Sequence, residues 1–198
     1  MKFEELLNYK LLTLVVLIVF YGIYFMKMHF QSRKGIRTRQ LGRGKGKGRN
    51  AVEAVMSVAT LGVVAAQLIS LICNWHMLLP AGARFTGFCV GMLGNLLFLI
   101  SAVTMGDSWR AGIPAEDKTE FVTRGIYRFS RNPAFLGFDL MYIGVMLMFC
   151  NPLLFAFTLL AAISLHLQIL QEEKYLAVRF GEQYLNYKKR VFRYLGRK

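Results

Sequence analysis

Five long apolar stretches constrain this chain more than any other feature of its sequence. Each is nearly free of charge and approaches the ~20 residues that a helix needs to cross the hydrocarbon core of a bilayer. Within lipid, a helix satisfies all of its own backbone hydrogen bonds. The pattern therefore predicts an all-α, polytopic membrane helix bundle that forms a single domain over residues 1–198. The predicted spans are 11–26, 51–73, 84–105, 133–150 and 153–170.

The basic residues decide between a membrane protein and a nucleic-acid-binding protein. The chain has 25 Lys and Arg against 11 Asp and Glu, and a formal net charge of +14. If all five spans cross, 22 of the 25 basic residues lie on one face, in the loop 27–50, the segment 106–132 and the tail from Gln171. The positive-inside rule makes that face cytoplasmic and the N-terminus external. We therefore expect contacts with anionic membrane lipids and no nucleic-acid partner.

Local patterns refine this organisation. Gly87, Gly91 and Gly94 have the spacing of small residues on one helix face, which predicts close helix packing. The Gly-basic tract at 42–50 predicts a mobile cytoplasmic loop. Asn151–Pro152 predicts a tight turn between the fourth and fifth spans. The tail from Gln171 is predicted to be a cytoplasmic, basic amphipathic helix, and the absence of an organelle address suggests a prokaryotic inner membrane.

The start of the fourth span carries residues with binding chemistry. Pro133 suits the first helical turn, where its missing N–H costs nothing, and it makes Asn132 the expected N-cap. The free N–H groups of a helix start can bind a carboxylate, and Arg131 lies beside them. A capped helix with an arginine that binds lipid headgroups is the alternative explanation.

Acidic residues at or within the membrane are costly unless they are paired or functional. On a helix, Gln168 and Glu172 share one face, and His166 and Glu173 share another. One face is available to a cofactor and the other to a helix contact, and a core histidine bonded to a neighbouring helix is an alternative for His166. Asp139 lies within the fourth span, where it either bonds a neighbouring helix or faces the same cavity.

Two motifs resemble a known family of integral-membrane methyltransferases. Gly-x-Tyr-x-x-x-Arg-Asn-Pro-x-Phe-x-Gly at 125–137 resembles the family's Arg-His-Pro-x-Tyr-x-Gly stretch, and Glu-Glu-x-x-Leu-x-x-x-Phe-Gly-x-x-Tyr-x-x-Tyr at 172–187 resembles its C-terminal stretch. The family contains isoprenylcysteine carboxyl methyltransferases and phospholipid N-methyltransferases. The resemblance covers about 105–198 and departs from the family at Asn132, in place of His, and at Phe135, in place of Tyr.

The resemblance implies an enzyme that transfers a methyl group from S-adenosylmethionine to a lipophilic, membrane-embedded acceptor. The cofactor would bind in the half 106–198, with 1–105 as N-terminal spans. The favoured acceptor is the carboxylate of an isoprenylcysteine-like lipid. A phospholipid amine and a non-catalytic membrane binding protein of the same fold are the alternatives. The implied catalytic residues are Arg131 and Glu172, and the implied cofactor-binding residues are Gly125, Ile126, Tyr127, Asn132, Pro133, Leu136, Glu172 and Glu173.

Overall fold

The computed structural model describes residues 3–40, 47–77, 79–112 and 119–197, and these form a bundle of five α-helices. The predicted all-α class is therefore confirmed. Single-turn 3₁₀ helices at Gly106–Ser108 and Gly125–Arg128 lie between the third and fourth helices. The α-helices are α1 (Phe3–Arg33), α2 (Lys47–Ile72), α3 (Ala81–Met105), α4 (Pro133–Met148) and α5 (Pro152–Arg190).

The described helices have the character of an integral membrane protein. Four of them, α1, α2, α3 and α5, are long and apolar enough to cross a membrane. α4 is apolar but has only 16 residues, or about 24 Å of helix, which is short of the ~30 Å hydrocarbon core. Large apolar side chains such as Ile18, Ile72 and Val103 are exposed on the outer faces of the long helices, as expected of a surface that lipid covers.

Glycines bring α3 and α4 into close contact, as the spacing on α3 predicts. A Cβ atom at Gly94 would lie 2.7 Å from the carbonyl oxygen of Gly137, and one at Gly144 would lie 2.5 Å from the backbone nitrogen of Gly91. No side chain fits at such distances, so the two backbones approach each other directly. This packing holds the start of α4, and with it the first motif, against the end of α3.

The turn between α4 and α5 is confirmed. Asn151 caps α5, since its side-chain oxygen accepts a hydrogen bond from the backbone N–H of Leu154 at 2.8 Å. Its side-chain nitrogen donates to the carbonyl oxygen of Trp75 at 2.8 Å, which ties the turn to the segment after α2.

The helix predicted from Gln171 is present, and it is continuous with the helix of the fifth apolar span. α5 has 39 residues in all, Pro152–Arg190, because the polar residues that follow Leu170 end the apolar stretch without breaking the helix. The helical backbone is interrupted at Gly181 (φ 51°, ψ −130°), a conformation that glycine tolerates.

The basic loop after α1 is shorter than expected. α1 extends to Arg33 and α2 begins at Lys47, inside the Gly-basic tract that the sequence assigns to a loop. Residues 41–46 of that tract lie outside the described residues.

Candidate functional site

The C-terminal residues fold back onto the first motif. Residues 191–197, here called the C-terminal hairpin, are closed by an antiparallel bridge between Val191 and Arg197. The backbone N–H of Arg131 donates to the carbonyl oxygen of Phe192 at 3.1 Å, and the side-chain nitrogen of Asn132 donates to that of Arg193 at 3.2 Å. The tail is therefore not helical to its end, and its last residues hold the motif in place.

The guanidinium group of Arg131 lies in a buried charge cluster. Its Nη2 atom is 3.0 Å from Oε1 of Glu173, whose side chain is 5% exposed. Arg193 donates to both oxygens of the same carboxylate, at 3.0 and 3.1 Å, and this pairing raises the pKa of Arg193 above its ordinary value. Lys188 approaches the carboxylate to 3.9 Å. Three cations therefore share one acid, and the cluster retains excess positive charge.

Arg131 still has hydrogen-bond donors to offer. Its Nε and Nη1 atoms are buried and make no well-aligned hydrogen bond within the part of the chain that the structure describes, although the Tyr184 hydroxyl group lies within reach of the guanidinium group. Buried donors without partners are costly. An anionic group placed against Arg131 would remove that cost, so the cluster is suited to bind a carboxylate.

A cavity of about 130 Å³, here called the motif cavity, lies where the two motifs meet. Four of the predicted site residues line it: Tyr127, Arg131, Asn132 and Glu172. Glu172 accepts a hydrogen bond from Gln168 at 3.2 Å, and burial raises the pKa of Tyr127 well above its ordinary value. The motif cavity thus contains two carboxylates, from Glu120 and Glu172, and two guanidinium groups, from Arg110 and Arg131, beside many aromatic side chains.

The sequence analysis did not assign roles to most of the apolar and aromatic wall of the motif cavity. The second motif could have predicted most of the wall, because its remaining Leu, Phe and Tyr positions all line the cavity. Trp109 and Phe121 lie outside both motifs. The wall includes Trp109, Phe121, Leu176, Phe180, Tyr184 and Tyr187.

Five of the predicted cofactor-binding residues lie outside the lining of the motif cavity. They are Gly125, Ile126, Pro133, Leu136 and Glu173.

Each of these five residues is adjacent in sequence to a residue that lines the cavity or to another of the five. Gly125 adopts φ +58°, and a Cβ atom there would lie 2.9 Å from the Thr104 side chain. Asn132 occupies the N-cap position of α4, with Pro133 at the helix start, but its side chain does not cap the helix. Glu173 forms the ion pair with Arg131 that is described above.

His166 bonds the Tyr194 hydroxyl group of the C-terminal hairpin, rather than a neighbouring helix.

Within the described residues, Asp139 neither bonds a neighbouring helix nor faces the motif cavity, the two roles expected from the sequence. Its Oδ1 atom is buried and has no hydrogen-bond partner there, and Asp139 does not line the motif cavity.

A second cavity of about 530 Å³, here called the apolar cavity, lies between α1, α2, α4 and α5. Apolar residues such as Leu17, Phe25 and Leu61 dominate its lining. The loop after α1 closes one end, where the backbone N–H of Gln40 donates to the carbonyl oxygen of Ala111 at 2.9 Å. The two cavities meet at five shared residues, namely Trp109, Arg110, Gly112, Ala134 and Phe135.

Comparison with known proteins identifies the region around these cavities. Residues 86–178 match the model of the isoprenylcysteine carboxyl methyltransferase family. The match contains α4, the whole of the first motif and the two glutamates that open the second.

Individual relatives agree with the family match. A probable protein-S-isoprenylcysteine O-methyltransferase from Oryza sativa subsp. indica is 33% identical over 110 residues, which cover 54% of this chain and 58% of the relative. Protein-S-isoprenylcysteine O-methyltransferase B of Arabidopsis thaliana is 33% identical over 108 residues, or 53% of this chain and 55% of the relative. The Saccharomyces cerevisiae enzyme is 33% identical over 110 residues, or 53% and 45%. The chain spans about half the length of these relatives.

The matched region does not include every element that lines the two cavities. α1, α2 and the C-terminal hairpin lie outside the matched region, so the apolar cavity is only partly built from family sequence. The relatives named above are eukaryotic, and they give no support to the expected prokaryotic inner membrane.

Proposed function

We propose that this protein is a membrane methyltransferase that uses S-adenosylmethionine to methylate the carboxylate of an isoprenylcysteine-like lipid. The observation that carries the proposal is the junction of the two cavities. A small cavity with carboxylate and guanidinium groups meets a larger apolar cavity inside a membrane bundle. A polar cofactor and a lipid acceptor need those two environments side by side.

The residues of the motif cavity fit the amino-acid end of the cofactor. Glu172 can pair with its ammonium group, and the free donors of Arg131 can bind a carboxylate. When bound, the cofactor supplies a methyl group carried on a sulfonium ion. Ligand pockets usually enclose about 300–1,000 Å³, so we expect the motif cavity to widen, or to share space with the apolar cavity, on binding.

The five predicted residues outside the lining of the motif cavity have supporting roles in this proposal. Gly125 and Ile126 set the path of the chain into Tyr127, and Pro133 and Leu136 fix the first turn of α4 beneath Arg131. Glu173 acts through Arg131, which it holds in place by an ion pair. We expect substitution of Glu173 to disturb the site without removing a group that touches the cofactor.

The apolar cavity is suited to the hydrocarbon part of the acceptor. Its volume of about 530 Å³ lies within the usual range for ligand pockets. The acceptor carboxylate would lie at the junction, where Trp109 and Phe135 exclude water. Phe135 replaces the tyrosine common in the family, so this departure makes the junction more apolar.

Methylation of a carboxylate requires the protein mainly to position the two reactants. A carboxylate is already a nucleophile and needs no general base, whereas an amine must first lose a proton. The junction of the two cavities would orient the acceptor carboxylate, and holding both reactants in a dry site supplies much of the rate. The names of the relatives describe O-methylation, so the phospholipid amine alternative is not favoured.

Methyl transfer with labelled S-adenosylmethionine tests the proposal. The purified protein is incubated in neutral lipid nanodiscs with S-farnesylcysteine that carries a free carboxylate, and in parallel with its carboxamide. We expect label only in the carboxylate sample, in a product that alkali hydrolyses to methanol, as a methyl ester requires. Label in an alkali-stable phospholipid product, or no label at all, would contradict the proposal.

A further inference from the structure

A third cavity, here called the arginine cavity, is an open surface pocket of about 320 Å³ beside the C-terminal hairpin, and its arginine side chains are exposed. Unlike the apolar cavity, its lining is mainly polar. It shares only Phe121 and Tyr187 with the motif cavity. The residues that line it are Phe121, Thr123, Arg128, Gln183, Tyr187, Arg190, Val191 and Arg197.

Three arginines from three different elements meet at this cavity. Arg128 ends the second 3₁₀ helix, Arg190 is the last residue of α5 and Arg197 closes the C-terminal hairpin. No acidic residue is among the described residues of the lining. Arg190 donates from Nε to the carbonyl oxygen of Asn186 at 3.3 Å, and that bond leaves its terminal nitrogens available. The three positive charges repel one another unless an anion neutralises them.

The type of anion follows from the donors. A guanidinium group presents paired N–H donors whose geometry matches phosphate oxygens, and several together favour a group with more than one negative charge. Thr123 and Gln183 add neutral donors to the same lining.

We propose that the arginine cavity binds a phosphate group, carried either by the headgroup of an anionic lipid or by a soluble compound. A phosphate shared by Arg128 and Arg197 would fasten the C-terminal hairpin to the second 3₁₀ helix. The same hairpin carries Arg193, which pairs with Glu173. The proposal does not depend on the methyl-transfer reaction.

Native mass spectrometry of the full-length protein in a neutral detergent tests the proposal. One arm adds phosphatidic acid and the other adds inorganic phosphate, with phosphatidylcholine as the lipid control. The single variants R128Q, R190Q and R197Q are compared with R124Q and K189Q, which remove the same charge from neighbouring exposed positions outside the cavity. Thermal unfolding without ligand verifies that every variant is folded.

We expect a saturable adduct in at least one arm, weakened about fivefold by each cavity substitution and changed by less than half as much by R124Q or K189Q. An adduct with phosphatidic acid alone identifies a lipid headgroup site, and one in both arms identifies a site for phosphate itself. Equal losses in cavity and control variants would show general charge attraction and overturn the proposal. Absence of a specific adduct in both arms would also overturn it.

Discussion

The carboxylate of Glu173 is 3.0 Å from the guanidinium groups of both Arg131 and Arg193. Because it is nearly fully buried, its removal would leave positive charge without a counterion in the interior. Breaking a buried ion pair from one side is much more costly than the pair's net contribution to stability. At the scale of single residues, Glu173 therefore has a positioning role, whereas Glu172 contacts the motif cavity.

Glu173→Gln is expected to lower the free energy of unfolding by about 3 kcal/mol. Gln keeps the shape of the side chain but cannot compensate Arg131 and Arg193. Thermal unfolding in detergent measures the change, and Glu182→Gln on the exposed surface of α5 is the matched control. Equal midpoints for the two variants would mean that Glu173 does not hold the charge cluster together.

The sequence predicts part of this arrangement. Helical spacing places Gln168 with Glu172 and His166 with Glu173, and the structure shows that the first pair faces the cavities and the second faces the C-terminal hairpin. The partners of the second pair were not predictable, because contacts with Arg193 and Tyr194 depend on how the chain turns after Gly181. No local propensity encodes that turn.

At the scale of elements, the α3–α4 contact positions the first motif. Glycines on both helices allow backbone contact, and the spacing of Gly87, Gly91 and Gly94 was sufficient to predict it. The sequence did not predict that α3 packs against the face of α4 that includes Gly137 and Gly144. Neither helix alone determines which helix it packs against.

Gly144→Ala is expected to destabilise the protein by about 2 kcal/mol. Its Cβ atom would lie 2.5 Å from the backbone of α3, where no flexible side chain can move away. Gly22→Ala is the control, because nothing lies within 4 Å of its Cβ position and alanine favours a helix. If Gly144→Ala unfolds at the same temperature as Gly22→Ala, the two helices are not in backbone contact.

The ends of the elements were the least predictable feature. The apolar stretch ends at Leu170 and the predicted tail helix begins at Gln171, but no residue was predicted as the end of that helix, which stops at Arg190. The good helix formers that follow allow α5 to continue, and Leu176, Phe180 and Tyr184 thereby reach the motif cavity.

At the scale of the whole molecule, the two halves of the chain build one site. The half 106–198 supplies most of the motif cavity, while α1 and α2 from the first half enclose much of the apolar cavity. The sequence analysis described the first half only as membrane spans. The first half also contributes to the apolar cavity, since Thr60, Leu61 and Gln67 of α2 line it.

Thr60→Trp is expected to raise the KM for S-farnesylcysteine about tenfold without changing affinity for S-adenosylhomocysteine. The indole would occupy the apolar cavity but not the motif cavity. Val58→Trp is the control, since Val58 is exposed on α2 and does not line the cavity. Steady-state kinetics and calorimetry measure the two quantities. A similar rise in KM for both variants would argue against entry of the acceptor by this route.

The central claim is that the two motifs meet around a cofactor site in which Glu172 contacts the bound molecule. The most direct measurement is the affinity of the purified protein for S-adenosylhomocysteine by isothermal titration calorimetry, for wild type, Glu172→Gln and the exposed-surface control Glu182→Gln. We predict saturable binding that Glu172→Gln weakens about 30-fold and Glu182→Gln leaves unchanged. Absence of binding by the wild type, or equal affinity in all three proteins, would contradict the claim.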